Sequence, residues 1–351
     1  MGCAVAFWVA RAGVRVTLIE RDPPGQHASA KNAGNLNPLF MTPPPLIPFA
    51  LESFRLHLAL AEELATLLKG ARYAVEPVRR LLISFDESDS VEFENVIRLF
   101  AGQAGFSIRQ LDVPSVCALE PRVSKEAQGA LLMEGNRCLN AHALTSALAD
   151  GAARLGATIM RAGVRELKTA SGRVTAVKTQ DLEIACDAVV LATGPWIAKI
   201  EQWVGLSLPV KPVKGQLLRM KLPGEGLRYD LTHGIAGLYR RNQNEVWVGG
   251  TQEDAGLDET PTEEIRHHLL EQAVRIMPEM AQAQLLEHVA ALRPVTPSGL
   301  PIVEQASGWN NVYIANGGCN KGILLCTGIA QALRDLMLNG QTTMPLNFQN
   351  T

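Results

Sequence analysis

Gly2 opens an apolar run, Gly13 closes it, and the following segment Val14 to Glu20 (VRVTLIE) alternates and ends in a carboxylate. The spacing predicts a helix, a tight turn and a buried strand. A helix that starts at a glycine turns its free N–H groups and the positive end of its dipole toward a phosphate. An acid ending the next strand can then accept hydrogen bonds from a ribose. The chemistry this spacing serves is dinucleotide binding, with Gly2 at the pyrophosphate and Glu20 at the sugar. Other α/β proteins contain the same helix and strand pair, so a second signal is needed. Met1-Gly2 reads as the tail of a G-x-G-x-x-G loop, a unit whose first strand and first two glycines are missing here.

Other chemistries find less support. The seven histidines form no dyad and no metal set, and the six cysteines lie far apart with no CxxC. Neither a disulfide framework nor a zinc site is signalled, and the cysteines are expected as buried thiols in a reducing cytosol. A formal net charge of -2 offers no electrostatic footprint for nucleic acid or an acidic membrane. The apolar opening is broken by Arg11 and Arg15, and no stretch reaches the length of a membrane span.

The elements around these residues alternate as in an α/β protein. Helices are predicted over 47–69, 91–103 and 142–155, the last followed by a strand at 156–160. Three short segments, 164–169, 174–179 and 182–185, suggest a meander turning at Ser171-Gly172. Residues 187–194 (DAVVLATG) form a continuous apolar run, expected to be a central parallel strand buried on both faces. Between about 206 and 288 the pattern changes to candidate strands at 214–222, 237–241 and 245–250 and a helix at 262–276. This predicts an antiparallel sheet covered by helix, a second domain interleaved with the first. Alternation returns with a strand at 311–315 and a helix at 322–338. With 351 residues, 47% hydrophobic and 19% charged, the chain can fill two cores.

Seven segments in order give the second signal: GCAVAFWVARAGVRVTLIERD, KNAGNLNP, LEPRVS, VVLATGPWIAKI, PVKGQLLRM, LRPVTPSGLPIV and NGGCNKGILL. Over Gly2 to about Leu338 the chain resembles the FAD-dependent D-amino acid oxidase superfamily, most closely its glycine oxidase and sarcosine oxidase type. The resemblance implies a Rossmann-like FAD-binding domain (1–75, 142–205 and 289–351) interleaved with an α+β substrate domain (76–141 and 206–288). It implies oxidation of a C–N bond in a small amino acid or amine, with hydride passed to FAD and hydrolysis of the resulting imine. An FAD-dependent 2-hydroxy-acid dehydrogenase and a non-catalytic truncated remnant or subunit of a flavoenzyme complex stay open as alternatives.

By that resemblance Glu20 and Arg21 serve the adenosine half of the cofactor, and Val164 offers its backbone to the adenine. Lys31, Asn32, Ala33, Gly34 and Asn35 run along pyrophosphate and flavin, although the two asparagines equally suit plain turns. Ala192, Thr193 and Gly194 pass under the dinucleotide, with Trp196 packed nearby as core. Gly215 and Gln216 in PVKGQLLRM join the cofactor set. Gly317, Gly318, Asn320, Lys321, Gly322 and Ile323 present a helix start to the flavin, where backbone amides stabilise the charge of the reduced ring. His or Arg often stands where this chain has Cys319 and Asn320, and a solvated Lys321 is the plain alternative to a role with oxygen. Arg293 clamps the substrate carboxylate, as its two-pronged guanidinium suits. Tyr239 supplies a hydroxyl, although the matching family position falls nearer Gly237. Ala290-Ala291 occupy the place of a tethering cysteine, so the FAD is expected to be non-covalent. The electron acceptor is O2, a quinone or a partner subunit. A homo- or hetero-oligomer stays open, and the setting expected is cytoplasmic, peripheral to a membrane only through an electron-accepting partner.

Overall fold

GCAVAFWVAR forms the helix Gly2–Arg11 with Cys3 through Ala10 all buried. Such an all-round apolar helix belongs in the middle of a domain. In the computed structural model, which describes residues 1–234 and 236–350, it packs against the helices Ala141–Arg154 and Gly322–Asn339. The last of these also packs on Ile47–Leu67. Gly13, at φ 82°, closes the first helix and turns the chain into the strand Thr17–Glu20, which pairs in parallel with Thr158–Arg161.

The chain divides into two compact units. The first comprises Met1–Val75, Leu139–Pro212 and Arg293–Thr351, the second Glu76–Cys138 and Val213–Leu292. The sequence boundaries at 142, 206 and 289 stand three, seven and four residues from Leu139, Val213 and Arg293.

In the first unit the strand Val189–Leu191 pairs in parallel with Val312–Asn316, whose other neighbour is Ile302–Gln305. Val189 and Val190 are half-buried and only Leu191 is buried, so the expected burial on both faces is not met. The reason is position: the strand is an edge of its three-stranded sheet among the described residues. The meander Glu166–Ala170, Arg173–Lys178 and Glu183–Ala185 forms as expected, with Ser171 and Gly172 both at positive φ in the two-residue turn.

The second unit holds an eight-stranded sheet in the order Gln284–Val295, Lys211–Lys221, Glu245–Gly249, Ala236–Arg240, Asp230–His233, Arg80–Ser84, Gly129–Glu134 and Ser107–Leu111. It is mixed: Asp230–His233 and Arg80–Ser84 run parallel within an otherwise antiparallel run from Lys211–Lys221 to Ser107–Leu111. Leu81, Leu132, Leu218, Leu238 and Val248 on one face pack with Leu269, Ala273 and Ile276 of the helix Glu263–Ile276. No helix among the described residues is long and apolar enough to cross a membrane.

Candidate active site

Two parallel strands of the first unit end in small-residue turns, and one side chain ties the turns together. Asn316, fully buried at the end of Val312–Asn316, donates from Nδ2 to the Gly194 carbonyl at 2.9 Å and accepts the Gly317 N–H on Oδ1 at 2.8 Å. Ala192, Thr193 and Gly194 are thereby joined to the Gly317–Ile323 turn that starts the helix Gly322–Asn339. Nothing local marked Asn316 in the sequence, because its partner lies 122 residues away. Beside it Thr193 Oγ1 is buried with no hydrogen-bond partner among the described residues. A hydroxyl in that state calls for an outside polar group.

Gly2 stands at the start of its helix, where a Cβ would lie 3.5 Å from Leu18 Cδ1 and 3.8 Å from Ala192 Cβ. That is ordinary contact, so helix and strand packing does not itself demand glycine there. The methyl of Met1 lies over Gly318 and Gly322. Glu20 ends its strand half-buried and accepts the Asp22 N–H on Oε1 at 3.3 Å.

Trp196 is half-buried rather than core. Arg21 lies over its ring at 4.8 Å and His27 meets it edge-on at 4.9 Å. Asp22 joins Arg21 Nε at 2.8 Å and His27 Nε2 at 2.9 Å. The His27 hydrogen bond, then that of Arg21, holds the half-buried Asp22 carboxyl below its ordinary value. Val164 packs, half-buried, on the apolar cluster around Leu191 and Ile314.

The loop after Lys31 and Ala33 is tightly built. Asn32 Oδ1 accepts the Gly34 N–H at 2.6 Å, and the Leu139 N–H donates to the Gly34 carbonyl at 3.0 Å. Asn35 Oδ1 is buried without a hydrogen-bond partner among the described residues. Gly34 has φ 70°, and a Cβ there would stand 1.8 Å from the Leu139 carbonyl oxygen. Gly13, at φ 82°, has nothing within 4 Å of such an atom. Gly34→Ala is therefore expected to lose about 1–3 kcal/mol more stability than Gly13→Ala. Equal shifts in denaturant midpoint for the two variants would refute the clash.

Lys321 is not a solvated charge. Its ammonium donates to the carbonyls of Asn37 at 2.9 Å and Phe40 at 2.7 Å, pinning the loop to the helix start. Lys321→Met should free these carbonyls and raise hydrogen exchange of the Phe40 amide, which donates to Asn37 Oδ1, by about tenfold or more. Unchanged exchange there means that the lysine does not hold the loop. Asn320 is exposed, while Cys319 takes φ 46° with its thiol against the Gly317 carbonyl at 3.4 Å.

Arg293 is half-buried on Gln284–Val295, at the point where the chain enters the first unit for the last time. Gly215, Gln216 and Tyr239 belong to the second unit. Gln216 is engaged there: Nε2 donates to Glu253 Oε2 at 2.8 Å and Thr262 Oγ1 at 3.2 Å, and Oε1 accepts the Thr262 N–H at 2.9 Å. Its amide thus anchors the start of the helix Glu263–Ile276. Tyr239 folds back over Gly237, so that a Cβ on residue 237 would meet its Cζ at 2.4 Å and its hydroxyl at 2.5 Å. Alternate residues share a strand face, and Tyr239 fills the space that a side chain at 237 would take.

The first unit's residues fit an FAD. The orphaned Thr193 hydroxyl, the orphaned Asn35 oxygen, the half-buried Glu20 at a strand end and the small residues at 192–194 and 317–318 supply the polar atoms and close approach a dinucleotide needs.

Comparison with known proteins agrees. The family model described as FAD dependent oxidoreductase, DAO, matches residues 1–336. The hydrogen cyanide synthase subunit HcnC of Pseudomonas protegens is 31% identical, over 99% of this chain and 81% of its own. The glycine oxidase of Geobacillus kaustophilus is 30% identical, over 99% and 92%. The crystal structure of glycine oxidase from that organism superposes with a TM-score of 0.89 at 27% identity, covering 97% of this chain and 93% of the other.

Proposed function

The chain belongs to the DAO family of FAD-dependent oxidoreductases, and from that premise we propose that it oxidises the C–N bond of a small amino acid or secondary amine, giving an imine that water hydrolyses. What carries the reading is the likeness to glycine oxidase, which spans both units at a TM-score of 0.89. When bound, FAD supplies the two-electron hydride-accepting chemistry.

The protein's part is to bind and orient. Glu20 and Arg21 hold the adenosine half, with Trp196 and Val164 beside it. Gly2, Thr193 and the amides of the Lys31–Asn35 loop serve the pyrophosphate. Residues 317–323 offer N–H groups at the start of the helix Gly322–Asn339 to the flavin pyrimidine. Arg293 takes the substrate carboxylate on its fork. Amine oxidation needs no protein base when the amine arrives neutral and well oriented, consistent with a site built around an arginine and small residues.

Anaerobic titration of the purified yellow protein tests the proposal. Glycine, sarcosine, a D-amino acid or an imino acid should bleach the flavin bands. Bleaching by a 2-hydroxy acid and by no amine would overturn the C–N assignment. The likeness to a hydrogen cyanide synthase subunit supports a second feature, an assembly in which a partner chain takes the electrons. Oxygen consumption that keeps pace with turnover by the isolated protein would exclude that need. The six unpaired cysteines support a reducing, cytoplasmic setting.

A further inference from the structure

The face of the second unit's sheet away from its apolar core carries charge. Arg80 and Asp230 stand opposite each other in register, both almost wholly buried, and pair Nη2 to Oδ2 at 3.1 Å. The other oxygen of Asp230 accepts the Arg240 N–H at 2.9 Å. One strand further on, Glu245 Oε1 takes Arg219 Nε at 2.9 Å and Trp247 Nε1 at 3.0 Å. Both carboxylates whose charge acts on Arg241, Asp230 and Glu245, are thus engaged by other groups, Glu245 through Oε1.

Arg241 has no such partner among the described residues. Its Nη1 donates to the Arg240 carbonyl at 2.9 Å, and its guanidinium lies over the Trp247 ring at 5.2 Å. Its Nη2 is shut off from solvent with no hydrogen-bond partner among the described residues. Burial without a paired carboxylate works against the charge. Asn136, 1% exposed, likewise has both amide atoms buried with no partner among the described residues. It lies two residues before Cys138, on whose thiol the Arg241 charge acts. A fixed positive charge with an unused N–H edge is the arrangement of an anion receptor.

We propose that Arg241 anchors an anion site in the second unit, taking a carboxylate or phosphate group on its Nη2 edge. The site does not depend on the reaction proposed above, so either can fail alone. Two sources share this chemistry, a free small anion and an acid group carried by the substrate.

Thermal unfolding of the purified full chain with inorganic phosphate and with malonate, at constant ionic strength, tests binding. The midpoint should rise saturably for at least one anion, R241Q should weaken the apparent affinity by about tenfold or more, and R241K should keep part of it. Kinetics then separate the sources. A kcat/KM for a dicarboxylic amino acid that falls about tenfold relative to glycine in R241Q identifies the substrate's acid group. An unchanged ratio beside a lost midpoint shift identifies a free anion. A wild-type midpoint indifferent to both anions, with that ratio unchanged, overturns the site. So does a shift that survives intact in R241Q. Should R241Q fail to fold, the wild-type titration and R241K decide by the same criteria.

Discussion

Replacing Arg293 with alanine is expected to lower kcat/KM for an amino acid substrate by about 100- to 1000-fold, because truncating one partner of a desolvated charge pair costs about 2–5 kcal/mol. The side chain is half-buried and rises from a twelve-residue strand, a platform stiff enough to hold a fork in place. The loss should fall on binding of the carboxylate, so an amine without one should be oxidised at nearly the same rate by variant and wild type. Arg293→Lys keeps the charge and loses the second prong, and should fall between the two. Flavin absorbance should be unaffected, since the proposed cofactor contacts belong to other residues. Equal losses on substrates with and without a carboxylate would show that Arg293 supports the fold or the flavin and does not clamp the substrate.

How far such a site can be read from sequence depends on the range of its contacts. The helix Gly2–Arg11, the turn at Gly13 and the strand ending at Glu20 were legible because each follows from apolar periodicity and one glycine. The strand Gln284–Val295 was not: its first four residues are exposed, its next stretch is buried, and no single alternation covers both. Gly129–Glu134 was hidden for another reason, being buried almost throughout and so showing no period. Within the site, Lys321 looked like a surface charge because the carbonyls that hold it lie more than 280 residues back in the chain. Gln216 looked like a cofactor contact because it adjoins Gly215 in a family segment, and only the fold shows its amide engaged by Glu253 and Thr262. Tyr239 over Gly237 is the intermediate case, since the two-residue spacing on a strand already puts them on one face.

His57, unremarkable in the sequence, carries a pH dependence large enough to measure. It is fully buried in Ile47–Leu67, and its Nε2 meets the carbonyls of Ile323 at 2.9 Å and Leu324 at 3.1 Å. Carbonyls only accept, so the proton is on Nε2, and Nδ1 is bare, buried and without a partner among the described residues. Protonating Nδ1 would bury a charge with nothing to receive its N–H. Desolvation accordingly holds the imidazole down at about 4, against the opposing hydrogen bonds to the two carbonyls. The unfolded chain, with an ordinary histidine, takes up a proton near pH 6.5 while the native state waits until about 4. Protons therefore favour the unfolded state across that window: stability is intact above pH 6.5 and falls as the pH drops toward 4. At about 1.4 kcal/mol per pH unit the loss amounts to roughly 3 kcal/mol. His57→Gln removes the titrating group, so wild type should lose stability relative to the variant by that amount between pH 7 and 4 in urea unfolding. A difference between the two that stays flat over this range would mean that the charged imidazole is accommodated between the helices after all.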